Sequence, residues 1–267
     1  MQLQPIITSQ HNPLFKEMLR LHLASERHSQ RRFLIEGPHL VEEAIAVMWP
    51  LEFLFFEETW GDENQAWLQR IAMAPLPSPS ILQPVSRDIM RRLSTTASSC
   101  PIIGIAKERS QQSDDSSSLS LAIAVESLQD PGNLGALIRV TAAADIGSVY
   151  MGAHSVAATN PKVLRSAAGQ WFRSPPVTVD LPSFLEYQSS LSVQILAASA
   201  EGRSYWDIDL TRPTIFLLGN EGNGLSPGVR ALASGTISIP MADRVESLNV
   251  AVAGALLVYE AQRQRRT

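Results

Sequence analysis

The chain has 267 residues, 45% hydrophobic and 18% charged, and a net charge of −4. That is the profile of an ordinary globular protein able to bury one large core or two modest ones, and no run approaches the ~18 uncharged apolar residues of a membrane span. The acidic balance excludes a protein that holds nucleic acid by bulk charge alone.

A single cysteine, Cys100, excludes an internal disulfide framework and a thiolate-rich zinc site, so no metal is expected. The N-terminus, Met1 to Gln10, is too polar for a signal peptide. Together these point to a reducing, cytoplasmic setting with no membrane attachment. Of the 22 Lys and Arg, only Lys16, Lys107 and Lys162 are lysines. Arginine suits bidentate contact with phosphate and stacking on bases, although GC-rich codons would favour it equally.

Asn12-Pro13 predicts a helix start, with Leu14, Met18 and Leu21 recurring at near-helical spacing. This helix and the following segment carry Lys16, Arg20, Arg27, Arg31 and Arg32 against only Glu17 and Glu26. Such a cluster is either a solvated helix face or a phosphate-contacting footprint. Phe33-Leu34-Ile35 predicts a short strand ended by Gly37, Pro38 to Met48 a second helix, and Leu51 to Phe56 a buried strand.

From Lys107 to Leu119 the sequence reads KERSQQSDDSSSL. It has no apolar periodicity and too little to bury, which predicts a linker. The expected organisation is a domain over 1–107, a linker over 108–119 and a second domain over 120–267. The second domain alternates strand and helix: strands at Leu121 to Val125 and Ser148 to Met151, helices at Asn133 to Ala144 and Pro161 to Gln170. Further apolar runs follow at Val193 to Ala198, Thr214 to Leu218 and Thr236 to Ile239, and a last helix at Ser247 to Arg263. This alternation predicts a parallel α/β sheet, whose ligands bind beyond the carboxyl ends of the strands.

Three loops at such ends stand out. After the first strand comes Asp130-Pro131-Gly132-Asn133, where Asn133 is placed to cap the next helix, and Arg139 follows about two turns into an otherwise apolar stretch. After Leu218 comes Gly219-Asn220-Glu221-Gly222-Asn223-Gly224. Its spacing is neither the dinucleotide fingerprint nor a phosphate-binding loop. A carboxylate at its centre would repel a polyphosphate but tolerate a cationic sulfonium. After Ile239 comes Pro240-Met241, then Glu246-Ser247-Leu248-Asn249-Val250, with Ser247 expected as helix N-cap and Asn249 inside the first turn.

Together, segments 133–139, 217–225 and 239–250 resemble the three signature motifs of the SpoU/TrmH family of RNA 2′-O-methyltransferases, in order and in spacing. The stretches ITSQHNPLFK and RFLIEG resemble that family's N-terminal substrate-binding domain. The resemblance implies a C-terminal parallel-sheet α/β domain tied in a deep trefoil knot, the SPOUT fold, preceded by a smaller α/β substrate-binding domain. It implies S-adenosylmethionine as cofactor, held by Ala198, Ser199, Gly219, Asn220, Glu221, Gly222, Ile239, Met241, Ser247 and Leu248. Its catalytic group would be Arg139 with Asn133, Glu221, Ser247 and Asn249.

Relatives assign Arg139 the role of general base, but a guanidinium scarcely deprotonates. Gripping the neighbouring phosphate and stabilising the developing alkoxide suits it better. Asn133, Ser247 and Asn249 would orient Arg139 and the nucleotide, and Glu221 would steady the cationic end of the site. One departure is Ala251, where relatives often carry Ser. Contacts to RNA are expected from Lys16, Arg20, Arg31, Arg32, Lys162 and Arg165. The resemblance also implies a homodimer joined through the C-terminal domain, with Leu248, Val252, Leu256, Val258 and Tyr259 as apolar candidates. Ribosomal RNA is favoured over transfer RNA as substrate. The alternatives are a transfer-RNA 2′-O-methyltransferase, a base-nitrogen methyltransferase, or a catalytically silent RNA-binding protein of the same fold acting in ribosome assembly.

Overall fold

The computed structural model describes residues 2–75, 77, 80–109 and 119–266. The chain forms two compact units: Met1–Ser110 with Thr159–Phe172, and Gln111–Ala158 with Arg173–Thr267. Most of the expected linker lies outside the described residues. Its first two residues, Glu108 and Arg109, belong to unit one. The Glu108 N–H donates to the Arg31 carbonyl, and the Arg109 guanidinium sits 4.3 Å over the Trp49 ring.

Unit one is built on a five-stranded sheet in the order β1 (Gln2–Leu3), β4 (Ile81–Val85), β3 (Leu51–Glu57), β5 (Ile102–Lys107), β2 (Arg32–Glu36). The first three run parallel and β5 runs antiparallel to both its neighbours. Helices α1 (Pro13–Leu19), α2 (Ala24–Gln30), α3 (Pro38–Ala46), α4 (Glu58–Glu63), α5 (Gln65–Ala72) and α6 (Arg87–Leu93) connect the strands. Asn12 caps α1 by accepting from the Phe15 N–H, as expected of Asn before Pro. Phe15, Met18 and Leu21 then meet Ile89, Met90 and Leu93 of α6 in one buried cluster with Leu34, Phe55 and Ile103.

The discontinuous part of unit one holds α8 (Pro161–Ser166) and a 3₁₀ turn at Gln170–Phe172. The single helix expected from Pro161 to Gln170 is broken because Ala168 and Gly169 take positive φ values of 47° and 82°, which end an α-helix. The turn delivers Trp171, 5.0 Å from the Phe33 ring and 5.2 Å from that of Trp49.

Unit two is a six-stranded, all-parallel sheet in the order β11 (Gly235–Ser238), β9 (Gln194–Ser204), β10 (Thr214–Leu218), β6 (Leu121–Val125), β7 (Val149–Gly152), β8 (Val177–Val179). The central strands β6 and β10 are buried along their whole length, which is why they read as unbroken apolar runs. Strand β9 runs past the expected Ala198. Its pairing with β11 jumps from Ala197↔Thr236 to Arg203↔Ile237, so residues 198–202 bulge out of the ladder.

Helices α7 (Pro131–Ala143), α9 (Leu181–Ser190), α10 (Pro227–Arg230) and α11 (Val250–Arg265) complete the unit. Helix α11 packs on α7 at Gly254, where an added Cβ would lie 2.6 Å from Leu137 Cδ2. Among the described residues no helix is long and apolar enough to cross a membrane.

Both expected caps shift. Helix α7 starts at Pro131 under Asp130, whose side chain accepts from the Asn133 N–H at 2.9 Å. Asn133 is thus inside the first turn and its amide is released for other work. Helix α11 starts at Val250 under Asn249, which accepts from the N–H groups of Ala251 and Val252. Asn249 fills the capping role expected of Ser247, because its Oδ1 reaches two unpaired N–H groups of the first turn.

Candidate active site

The loop after β10 is closed by Asn220 and Gly224, which exchange two backbone hydrogen bonds of 2.9 Å. Asn220 Oδ1 accepts from the N–H groups of Gly222 and Asn223, and its Nδ2 donates to the Ser127 carbonyl at 2.8 Å. So tight a turn requires glycine: a Cβ on Gly219 would lie 2.3 Å from the Gly224 carbonyl carbon, an impossible approach. The turn projects Glu221 at the loop after β6. Its carboxylate accepts from the Gln129 N–H at 3.4 Å, the Asp130 N–H at 3.3 Å and Asn133 Nδ2 at 3.1 Å.

Burial acts most strongly on the Glu221 carboxyl and alone would raise its pKa. The hydrogen bonds from Asn133, Asp130 and Gln129 outweigh it and hold the group below its ordinary value. The direction of the network follows from this charge. An ionised carboxylate only accepts, so the Asn133 NH₂ faces Glu221 and its Oδ1 faces outward. That oxygen accepts from Asn249 Nδ2 at 2.8 Å, and Asn249 Oδ1 in turn caps α11. One chain of bonds thus runs Glu221, Asn133, Asn249, α11, tying together three segments that are far apart in sequence.

Beside this network lies a cavity of about 660 Å³ at the carboxyl ends of β9, β10 and β11. All ten residues expected to hold the cofactor line it, and Asn249 joins them. Leu218, Ile237 and Leu257 supply apolar wall, and the bulge 198–202 contributes Ala198, Ser199 and Ala200. Nothing local in the sequence marks Ala200, Ile237, Ala253 or Leu257 as lining residues. The bulge and the packing of α11 put them there, and neither has a local signature. Among the described residues the lining holds two carboxylates, Glu221 and Glu246, and no Lys or Arg. A wall of that charge suits a neutral or cationic ligand and disfavours a polyphosphate.

The five expected catalytic residues divide. Asn133, Glu221 and Asn249 are bonded together, whereas Ser247 lines the cavity and makes no hydrogen bond among the described residues. Arg139 is exposed on α7, and its guanidinium has neither ion pair nor hydrogen bond among the described residues. The expected bonds from Asn133, Ser247 and Asn249 to Arg139 are not formed. Glu221 is committed to the loop after β6, so it anchors the site's framework instead of standing as a free counter-charge. No group of three His, Cys, Asp or Glu among the described residues converges as a metal site.

The residues expected to contact RNA are mostly occupied. Arg32 is held by Glu17 at 2.7 Å and Glu52 at 2.9 Å, Arg20 by Glu26, and Arg31 faces Glu108 at 3.9 Å. Arg27, from the same cluster, is buried and donates to the carbonyls of Leu21 and His22. Arg165 donates to Glu36 at 3.3 Å and to Thr95 Oγ1 at 2.8 Å. Of these six, Lys16 is exposed on α1, and its ammonium makes no hydrogen bond or ion pair among the described residues. Lys162 opens α8, its N–H bonded to the cap Asn160.

Comparison with known proteins gives a consistent picture. Residues 120–259 match the SpoU rRNA Methylase family, and residues 12–104 match the MRM3-like substrate binding domain. An uncharacterized tRNA/rRNA methyltransferase of Synechocystis sp. is 34% identical over 97% of this chain and 94% of its own length. The 23S rRNA (guanosine(2553)-2′-O)-methyltransferase RlmP of Bacillus subtilis is 31% identical over 95% of this chain and 97% of its own. A crystal structure of an RNA 2′-O ribose methyltransferase superposes with a TM-score of 0.81 at 30% identity, covering 98% of this chain and 100% of that one. The chain belongs to the SpoU rRNA methylase family.

Proposed function

We propose that this chain transfers a methyl group from S-adenosylmethionine to a ribose 2′-hydroxyl of ribosomal RNA. The observation that carries this reading is the juxtaposition of the cation-free cavity with the Glu221–Asn133–Asn249 chain of bonds. Family membership supplies the reaction class, and the 23S substrate named for RlmP supports ribosomal RNA over transfer RNA.

When bound, S-adenosylmethionine supplies an activated methyl on a positively charged sulfur. A cavity of this size, lined by two carboxylates, apolar side chains and the closely turned backbone at Gly219, fits that chemistry. The chain's own residues then orient and discriminate. The loop 219–224 and the segment 239–248 hold the cofactor. Asn133 and Asn249 fix the α7 and α11 termini against each other, which keeps the wall rigid where reacting atoms must align closely. Ser247 offers a hydroxyl that makes no hydrogen bond among the described residues.

Arg139 grips the phosphate beside the target ribose and stabilises the developing alkoxide as the hydroxyl proton passes to solvent water. Its support is the exposed guanidinium on α7, which has no ion pair or hydrogen bond among the described residues. The trefoil knot, a cytoplasmic setting and a homodimer complete this reading. The dimer is supported by α11, which leaves Val252, Leu256 and Tyr259 at 49%, 39% and 52% exposure at positions i, i+4 and i+7. Val258, the fourth apolar candidate on this helix, is buried in the unit's own core. Leu256→Arg should convert a dimer to a monomer in sedimentation, and an unchanged sedimentation coefficient would remove α11 from the interface.

The reading is tested by mapping 2′-O-methylated nucleotides in ribosomal RNA from cells with and without the gene. One position lost on deletion and restored by the wild-type gene supports it. An unchanged map in ribosomal RNA with a position lost from transfer RNA would move the substrate, and no loss in either would favour a silent RNA-binding protein.

A further inference from the structure

We propose that the solvent face of α6 is the RNA-docking surface of unit one, with Arg87, Arg91 and Arg92 gripping phosphates of a structured RNA. The proposal rests on the methyltransferase reading above and adds to it the face that meets the substrate.

Helix α6 divides cleanly. Ile89, Met90 and Leu93 are fully buried against Phe15 and Met18. The remaining residues, Arg87, Asp88, Arg91 and Arg92, fall within one arc of about 140° at ~100° per residue. That arc carries three guanidiniums and one carboxylate. Asp88 is shared: it accepts from Arg91 at 2.7 Å, Arg92 at 3.4 Å and Gln10 Nε2 at 2.9 Å. Arg87 is exposed, and its guanidinium makes no hydrogen bond or ion pair among the described residues. The side chains of Arg91 and Arg92 are 69% and 49% exposed, and ion pairs of that kind exchange readily for a phosphate.

Around α1 and β2, Glu17, Glu26, Glu52 and Glu108 meet Arg20, Arg31 and Arg32 nearly one for one. On α6 two positive charges remain after Asp88 is counted. The surroundings add further donors for phosphate oxygens. The Ser9–Asn12 turn, tied to α6 by Gln10, exposes His11, and the chain beyond α6 exposes the Ser98 hydroxyl.

The test uses the full-length protein and an unmodified transcript of 23S ribosomal RNA, with filter binding measured across salt concentrations. The triple substitution Arg87→Gln, Arg91→Gln, Arg92→Gln should raise Kd at least ~10-fold and flatten the salt slope by about two to three. Affinity for S-adenosylmethionine and kcat at saturating RNA should not move, while KM for RNA rises. Replacing the same three residues by Lys should restore most of the slope, which a purely structural role would not require. A control pair, Arg20→Gln with Arg31→Gln, should leave the slope near wild type. A triple variant with wild-type Kd and slope overturns the assignment of this face while leaving the methyltransferase reading intact. A wild-type protein that binds no RNA overturns both.

Discussion

The two units treat their polar residues in opposite ways. In unit two, Glu221, Asn133 and Asn249 come from loops about ninety or more positions apart in two of three pairings, yet they bond in sequence beside a cavity. In unit one, most of the basic residues that cluster around α1 and β2 are neutralised by carboxylates that folding brings to them. Arg32 is the clearest case: β2 and β3 are separated by β5, yet Glu52 and Glu17 both reach it. Polar residues at strand ends face a ligand because the fold leaves a crevice there. Basic residues on a helix face meet whatever charge packs alongside, which a count along the chain does not reveal.

The sharpest way to break this comparison is at Arg139. Arg139→Ala should fold normally and bind S-adenosylmethionine with unchanged affinity, yet lose methyl transfer by about 10²–10³-fold, the scale of one lost charge-stabilising donor. Near-normal turnover would remove Arg139 from the chemistry. Next comes Asn133→Ala, which cuts the chain between Glu221 and Asn249. Loss of a positioning hydrogen bond predicts a fall of roughly 10-fold in kcat, seen in single-turnover assays with saturating cofactor. A variant changed only in KM for RNA would place Asn133 in substrate binding instead.

For unit one, Arg165→Met should lower unfolding free energy by about 1–3 kcal/mol, because it leaves the buried Glu36 carboxylate with only its Ser94, Thr95 and Thr96 donors. Chemical denaturation checks this, and a stability equal to wild type with weakened RNA binding would return Arg165 to the RNA-contacting set. The smallest effect concerns pH. The Glu221 carboxyl is held below its ordinary value of 4.5. Its contribution to stability is therefore full above that pH and lost as pH falls through the folded pKa. The stability gap between wild type and Glu221→Gln should narrow in thermal melts as pH drops below about 4.5. A gap constant with pH would mean that the charge itself contributes nothing.

Much of unit two was legible in the sequence. Buried parallel strands read as apolar runs, and the loops after them carry motifs whose order and spacing are specific. The helix starts were misjudged because several residues nearby could cap equally well. Only tertiary contacts, the pull of Glu221 on Asn133 and the packing of α11 on α7, select Asp130 and Asn249. The β9 bulge was illegible for a related reason, since its extra residues are defined by pairing with β11. In unit one, β4, β5 and α4 to α6 escaped notice. Each is only five to eight residues long, too short for a repeating period to stand out. The segment Thr159–Phe172, which reads as part of the second domain, folds with the first through Arg165–Glu36 and Trp171–Trp49. Partners so remote along the chain leave no local trace.

The central claim, that the cavity and Arg139 together methylate a ribose hydroxyl, is tested most directly by the chemical identity of the product. Unmodified 23S ribosomal RNA is incubated with the protein and methyl-labelled S-adenosylmethionine, digested to nucleosides and separated by chromatography. The account predicts label in a single 2′-O-methylnucleoside with wild type and none above background with Arg139→Ala. Label on a base nitrogen, or no transfer to RNA by the wild-type protein, would contradict it.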